Sequence, residues 1–379
     1  MGIDDKYFKE KVKNISFVQL KDQRDITINN YTIDSSLPLP VITDNLLSDL
    51  SRINAKQEIT IERIIEGILY LLGGDREFVH KEDYLNILKA YSKDIDKVIF
   101  SRAIKEFENN DLNKSGLYLR TYNSLFSSAY GLFYYGMVLE ALSKEEFLKE
   151  NLEIANKFLE ESTKILEELL IENPNFYPSY YKLGYHYKFY EQFVKAKLTW
   201  EKALNLDPDL SRKDEIRVEL ENIDYEYRME LTDNYILNLN YSKAIETLAP
   251  LTAKYKSDWK LYYLLGMSYR GLGYSDSSKE YFNLSLEFNH KNPDTYNELG
   301  IVYFNDGDLL EAVDVFSKGI DNSHEDYRLY FNRGLGYLNL GMIDKGYEDI
   351  KLAYKLNPND DNIAKQLKAL ESYYKNLEN

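Results

Sequence analysis

The sequence predicts an all-α fold, a solenoid of about seven stacked helix-turn-helix repeats behind a small N-terminal segment of mixed structure. Two observations carry this reading. Residues 259–360 repeat with a period of 34: Leu265-Gly266 returns as Leu299-Gly300 and as Arg333-Gly334, while Tyr262, Tyr296 and Tyr330 keep step with one another, as do Phe282, Phe316 and Ile350. Each unit also holds two segments with apolar residues at helical spacing, parted by a turn such as Gly307-Asp308 or Gly341-Met342. A period of this length marks a stacked array, and spacing near 3.6 marks helices. One helix pair cannot cover its own apolar face, so the units must stack.

Small residues at fixed places, Ser278, Ala312 and Gly346, let paired helices approach closely. The best copy of the unit reads Tyr296, Leu299-Gly300, Tyr303, Ala312, Phe316, Gly319, and the best closing proline is Pro358. This pattern resembles the tetratricopeptide repeat (TPR) family, in a bacterial-type chain with a non-repeat start. The resemblance implies a TPR α-solenoid wound into a right-handed superhelix.

Along the chain, 1–95 is the N-terminal segment, 96–360 the array, and 361–379 a polar capping helix that solvates its end. Ile15–Leu20 and Ile26–Ile33 alternate in part, with polar Lys21–Asp25 between them, which predicts a hairpin over 15–33. Pro38 and Pro40 force an extended path. Thr43 or Asp44 caps a helix through Ile53. Thr60 caps a second, which Gly73-Gly74 stops, and a third runs from about Lys81 to Tyr91. The array carries two 14-residue insertions, near 143–172 and at 211–224. In the first, Ser143 and Glu146 read as a capping box for an overlong second helix. In the second, Ser211 and Asp214 cap the start of one long helix from about Arg212 to Asn238.

Composition narrows the function. The net charge is −16, and 1–95 is acidic as well, which disfavours phosphate backbones and hence nucleic-acid binding. No cysteine is present, so disulfides and thiol chemistry are out. The longest apolar run, Ile64–Leu72, is broken by Glu66 and falls short of the roughly 20 residues of a membrane span. No signal peptide is seen, and a cytoplasmic location is expected. The residues hold no Gly-rich phosphate loop, His-Glu-x-x-His pair or nucleophile elbow, so no enzyme, metal or cofactor is expected. His290 and His324 read as exposed turn residues, and His186, between two tyrosines, as core or groove lining.

The family resemblance implies that the first helix of each repeat lines a concave, peptide-binding groove. Carried over residue by residue, the partner-binding positions are Tyr181, Tyr185, Lys188, Met229, Tyr263, Met267, Arg270 and Asn297. An aromatic and methionine-rich floor of this kind suits an apolar peptide or helix. The fifth and ninth positions, such as Phe133 and Met137 or Tyr181 and Tyr185, do not reproduce the lysine-asparagine clamp of chaperone-tail receptors. The expected function is a non-catalytic scaffold or adaptor holding a segment of a protein partner. A peptide-sensing regulator with 1–95 as effector stands second, and an enzyme seated in 1–95 last. The insertions flank the repeat with the densest aromatic cluster, Tyr180 to Tyr190, so docking is expected near Tyr181, Tyr185 and Lys188.

Overall fold

The computed structural model describes residues 2–20, 26–51 and 59–377. The chain forms two compact units, Met1–Arg217 and Val218–Asn379.

The first unit opens with α1 (Ile3–Lys11) and four short strands, β1 (Ile15–Val18), β2 (Ile26–Ile28), β3 (Tyr31–Ile33) and β4 (Leu39–Ile42). Strands lie where alternation predicts them, but the hairpin is smaller than 15–33. β2 pairs with β3, Ile26 facing Ile33, around a turn in which Asn29 takes a left-handed φ of 52°. β1 pairs instead with β4, Ile15 facing Ile42. The extended path set by the prolines supplies that second partner, and β4 is buried along its whole length. The polar stretch Lys21–Asp25 lies outside the described residues.

Three helices follow: α2 (Thr43–Ser51), α3 (Ile61–Gly74) and α4 (Lys81–Tyr91). Positions 52 and 53 of the first expected helix lie outside the described residues. Thr60 caps α3 as expected, its hydroxyl accepting from the Arg63 amide. Gly73 stays inside α3, and its reason is contact: a Cβ there would overlap the Leu117 backbone.

The helix pairs of this unit are α5 (Ile95–Glu108) with α6 (Leu112–Leu125), α7 (Ala129–Leu148) with α8 (Leu152–Glu172), and α9 (Tyr177–Phe189) with α10 (Phe193–Leu206). One continuous core runs from Phe8 through Ile33, Ile68, Ile99 and Leu119 to Phe158, so the N-terminal segment shares its interior with α5–α8.

The first insertion lengthens the second helix as expected, but only by half of its residues, the rest going to the first. Leu148 ends α7 twelve residues beyond Gly136, whereas Phe189 ends α9 five beyond Gly184, so both helices of the α7/α8 pair gain about two turns. Ser143 is therefore no cap. It lies buried inside α7, and its hydroxyl donates to the Ala155 carbonyl across the pair at 2.8 Å. The turn comes later, at Glu150 with φ 63°. The second insertion gives α11 (Leu210–Asn222), capped by Asp209, which accepts from the Ser211 and Arg212 amides. Ser211 and Asp214 do not cap it. The expected long helix divides at Ile223, whose φ −96° and ψ 2° leave helical geometry while its side chain is buried.

The second unit pairs α12 (Asp224–Leu237) with α13 (Tyr241–Leu248), α14 (Trp259–Gly271) with α15 (Ser275–Phe288), α16 (Pro293–Asp306) with α17 (Leu309–Asn322), and α18 (Tyr327–Asn339) with α19 (Ile343–Leu356). α20 (Asp361–Leu377) closes the stack against α19, burying Ile363, Leu367 and Leu370 and leaving its outer side to water. In the last three of these pairs a glycine of the first helix receives a large apolar side chain of the second: Gly266 faces Phe282, Gly300 faces Phe316 and Gly334 faces Ile350. Gly184 receives Trp200 in the same way within the first unit.

A candidate partner-binding cavity

Within the first unit, α9 lies beside the extended parts of α7 and α8 and beside α11, and these four helices enclose a cavity of about 600 Å³. Tyr181, Tyr185 and Phe189 recur every four residues on α9 and share one stripe of it. Trp200 sets their position. Its indole donates to the Tyr181 carbonyl at 3.2 Å and its ring meets the Tyr185 ring edge-on at 5.0 Å. Phe147 and Leu148 of α7 and Ala155 and Leu159 of α8 supply the opposite wall.

Three polar features are built into these apolar walls. Glu140, on the α7 stripe that also carries Gly136, Ser143 and Phe147, is 7% exposed. Lys144 donates to its Oε1, while Lys182 and His186 of α9 approach its Oε2 at 3.3 and 3.6 Å. Burial pushes the Glu140 carboxyl up, but the histidine contact and the two lysines outweigh it and hold the group well below the usual carboxylate range. His186 is anchored from behind. Thr163, which gives its hydroxyl proton to the Leu159 carbonyl at 2.7 Å, lies 2.9 Å from His186 Nδ1.

The third feature is Glu215 on α11. Tyr181 and Tyr185 both donate to its Oε1, at 2.9 and 2.5 Å. Burial first, and then these bonds to a carboxylate, raise both phenols above their ordinary value. Glu215 is held in place by the root of α11. Arg212 pairs with the buried Asp207 through two bonds of 2.7 and 2.8 Å and covers the Tyr177 ring.

The depressed Glu140 carboxyl has a pH signature. Its contribution to stability is complete above the ordinary value of 4.5 and is lost as pH falls through the lowered folded-state value. Glu140→Gln is therefore expected to lower the urea midpoint at pH 7. The gap to the parent chain should narrow steadily as the pH drops below that ordinary value. A gap that stays constant across this acid range would refute the role given to the ion cluster.

The expected partner-binding residues fall into separate places. Tyr181 and Tyr185 line the cavity, and Lys188 on the same helix does not. In the second unit, Met229 is buried in a core with Leu248 and Leu261. Asn297 is also buried and accepts from Asn332 at 2.7 Å, so both are placed as packing residues. Tyr263 and Met267 are half-buried against that unit's cores, and Arg270 is ion-paired with Glu298. His186 is at once buried and cavity-lining, while His290 and His324 are exposed in turns between pairs. The sequence reading missed Glu140, Lys182 and Glu215. The signal available for Glu140 was a carboxylate one turn from Gly136 and Ser143, small residues that mark a close helix approach.

Residues 260–292 and 327–360 match the tetratricopeptide repeat family. A bovine (Bos taurus) protein described as BBSome complex member BBS4 is 29% identical over 110 residues, which is 29% of this chain and 21% of that protein. The chain thus spans about a fifth of the length of this curated relative. Among solved structures, YrrB, described as a TPR protein with an unusual peptide-binding site, is 19% identical with a TM-score of 0.37, covering 54% of this chain and 97% of its own. A tetratricopeptide repeat protein from Parabacteroides merdae is 16% identical with a TM-score of 0.35, covering 73% of this chain and 98% of its own. With the family match placed on the α14/α15 and α18/α19 pairs, and a glycine packed against a large side chain in the same way at α9/α10 and α16/α17, the helix pairs form a solenoid of tetratricopeptide repeats.

Proposed function

We propose that this protein is an interaction module that holds a segment of a protein partner in the cavity on α9. The observation that carries the reading is the cavity itself: about 600 Å³, apolar at its walls, with a few fixed polar groups. That size and lining are those of a site that takes a side chain or short segment out of water. Phe147, Leu148 and Phe189 stand at its edge more than half exposed, an apolar rim left in contact with water. Buried aromatic anchors in such a pocket supply most of the binding energy at interfaces. The bovine relative, by its description, is itself a member of a complex.

The cavity gives an enzyme little to work with. Thr163, the hydroxyl nearest to His186, has its proton committed to Leu159 and lies outside the cavity lining. A separate effector made of 1–95 is disfavoured by the core that this segment shares with α5–α8. Among the described residues, no helix is long and apolar enough to cross a membrane.

The reading is tested by isolating the native complex with the parent chain, Tyr181→Ala, Tyr185→Ala and the distant Phe331→Ala. The first two are expected to lower partner affinity by at least tenfold, since each removes an aromatic wall, and the third to leave it as in the parent. Parent-like affinity in both α9 variants, with the helical spectrum intact, would move the site elsewhere.

A further inference from the structure

The cavity holds two carboxylates in unlike surroundings. Glu140 is already matched by Lys144, Lys182 and His186. The two lysines are not free for an anionic guest, because drawing Lys182 away would leave a buried carboxylate short of its partners. Glu215 differs. Its two hydrogen bonds come from neutral phenols and converge on one oxygen, Oε1. Among the described residues, no cation lies within 4 Å of Glu215 and no hydrogen bond reaches its Oε2. A carboxylate fixed in this way, exposed at the edge of an apolar pocket, presents an open acceptor oxygen. An occupant must therefore bring an apolar group for the walls and a cationic donor for Glu215. The net charge of −16 favours the approach of a cation from a distance.

On this basis we infer that the partner segment is basic and amphipathic: one large apolar side chain enters between Phe147, Leu159 and Tyr185, and an adjacent Arg or Lys pairs with Glu215 Oε2. The inference rests on the protein-binding reading of the same cavity and adds the chemistry of the guest. Arginine suits the position best, because its planar fork can meet a carboxylate whose other oxygen is already held.

The test uses the full chain and three fluorescein-labelled peptides of about 14 residues that share one apolar anchor pattern, flanked by Arg, by Gln or by Glu. Anisotropy titrations at about 0.15 M salt are expected to rank Arg above Gln by about five- to tenfold, the upper part of the range for one net hydrogen bond, and Gln above Glu. In Glu215→Gln the Arg-over-Gln preference should collapse to about onefold, with the melting curve of the chain preserved. Equal affinity for the Arg and Gln peptides in the parent chain overturns the charge assignment, as does a Glu peptide that binds tightest or a preference that survives Glu215→Gln. The protein-binding reading then still stands if the Gln peptide binds and Tyr185→Ala abolishes it. Absence of binding by all three peptides at millimolar concentration overturns both.

Discussion

Arg120→Met is expected to destabilise the first unit by about 3–5 kcal/mol, the cost of breaking a buried ion pair from one side. Arg120 is 2% exposed and ties two helices of the N-terminal segment, α1 and α3, to α6 and α7. Its Nε donates to the Gly73 carbonyl at 2.7 Å, and its terminal nitrogens donate to Asp4 at 2.6 Å, to the Tyr135 hydroxyl at 2.8 Å and to Asp5 at 2.5 Å. The Phe8 ring lies under the guanidinium. Methionine refills the volume but strands the Gly73 carbonyl and leaves Asp4 with Tyr135 alone. The chain has two tryptophans, Trp200 in the first unit and Trp259 in the second. A Trp259→Phe background lets Trp200 fluorescence follow the first unit through a urea titration. Asp4→Asn added to Arg120→Met should recover part of the loss by removing the stranded charge. A midpoint within error of the parent for Arg120→Met would show that α1 is held by packing alone. The Asp5 carboxyl, lowered chiefly by its bond to Arg120, adds a pH dependence. Its share is present above the ordinary value of 3.8 and fades as pH falls through the depressed one.

Gly300→Leu should cost roughly 1–3 kcal/mol or more in the second unit, because even a Cβ at this place would overlap the Phe316 ring. Phe316 and Ala312 are both fully buried, so the ring has no room to retreat. Ala312→Leu should behave alike. The informative variant is Gly300→Ala with Phe316→Leu, which trades ring for methyl and should be milder than Gly300→Leu. Trp259 emission in a Trp200→Phe background reports the transition. Parent-like melting of both Gly300→Leu and Ala312→Leu would mean that the repeat register is misassigned.

Much of the fold could be read because the 34-residue period ties each helix to several others. The span of α4 matches the expected one, and the turns expected at Gly307-Asp308 and Gly341-Met342 follow α16 and α18 within two residues. Reading failed where no repeat constrained it. The Ser143 capping box was a local signal inside a helix that tertiary contact kept straight, since the Ser143 hydroxyl is occupied by Ala155 of α8. The pairing of β1 with β4 depends on a contact across more than twenty residues, which alternation cannot encode. The cavity divides in the same way. Tyr181 and Tyr185 were legible as a stripe of one repeat. Glu140 and Glu215 come from either side of that repeat and reach α9 only through the stacking angle of neighbouring pairs, a quantity that no single helix carries. Met229 and Asn297 hold the positions that suggested a groove, yet they point into packing, because that face of the second unit is already filled by its neighbours.

The two extra turns on each helix of the α7/α8 pair have a geometric consequence. Seven residues advance a helix by about 10 Å and rotate its face by only about 20°. Steps of three or four residues would swing the buried stripe by about 60° or 40° at 3.6 residues per turn. The wall that Phe147 and Leu159 present to α9 can thus grow or shrink only in jumps of about 10 Å, made in both helices together. Relatives of this chain with a different guest should differ in that wall by whole heptads, with matched insertions or deletions on either side of the α7/α8 turn, and their cavities should come in discrete depths.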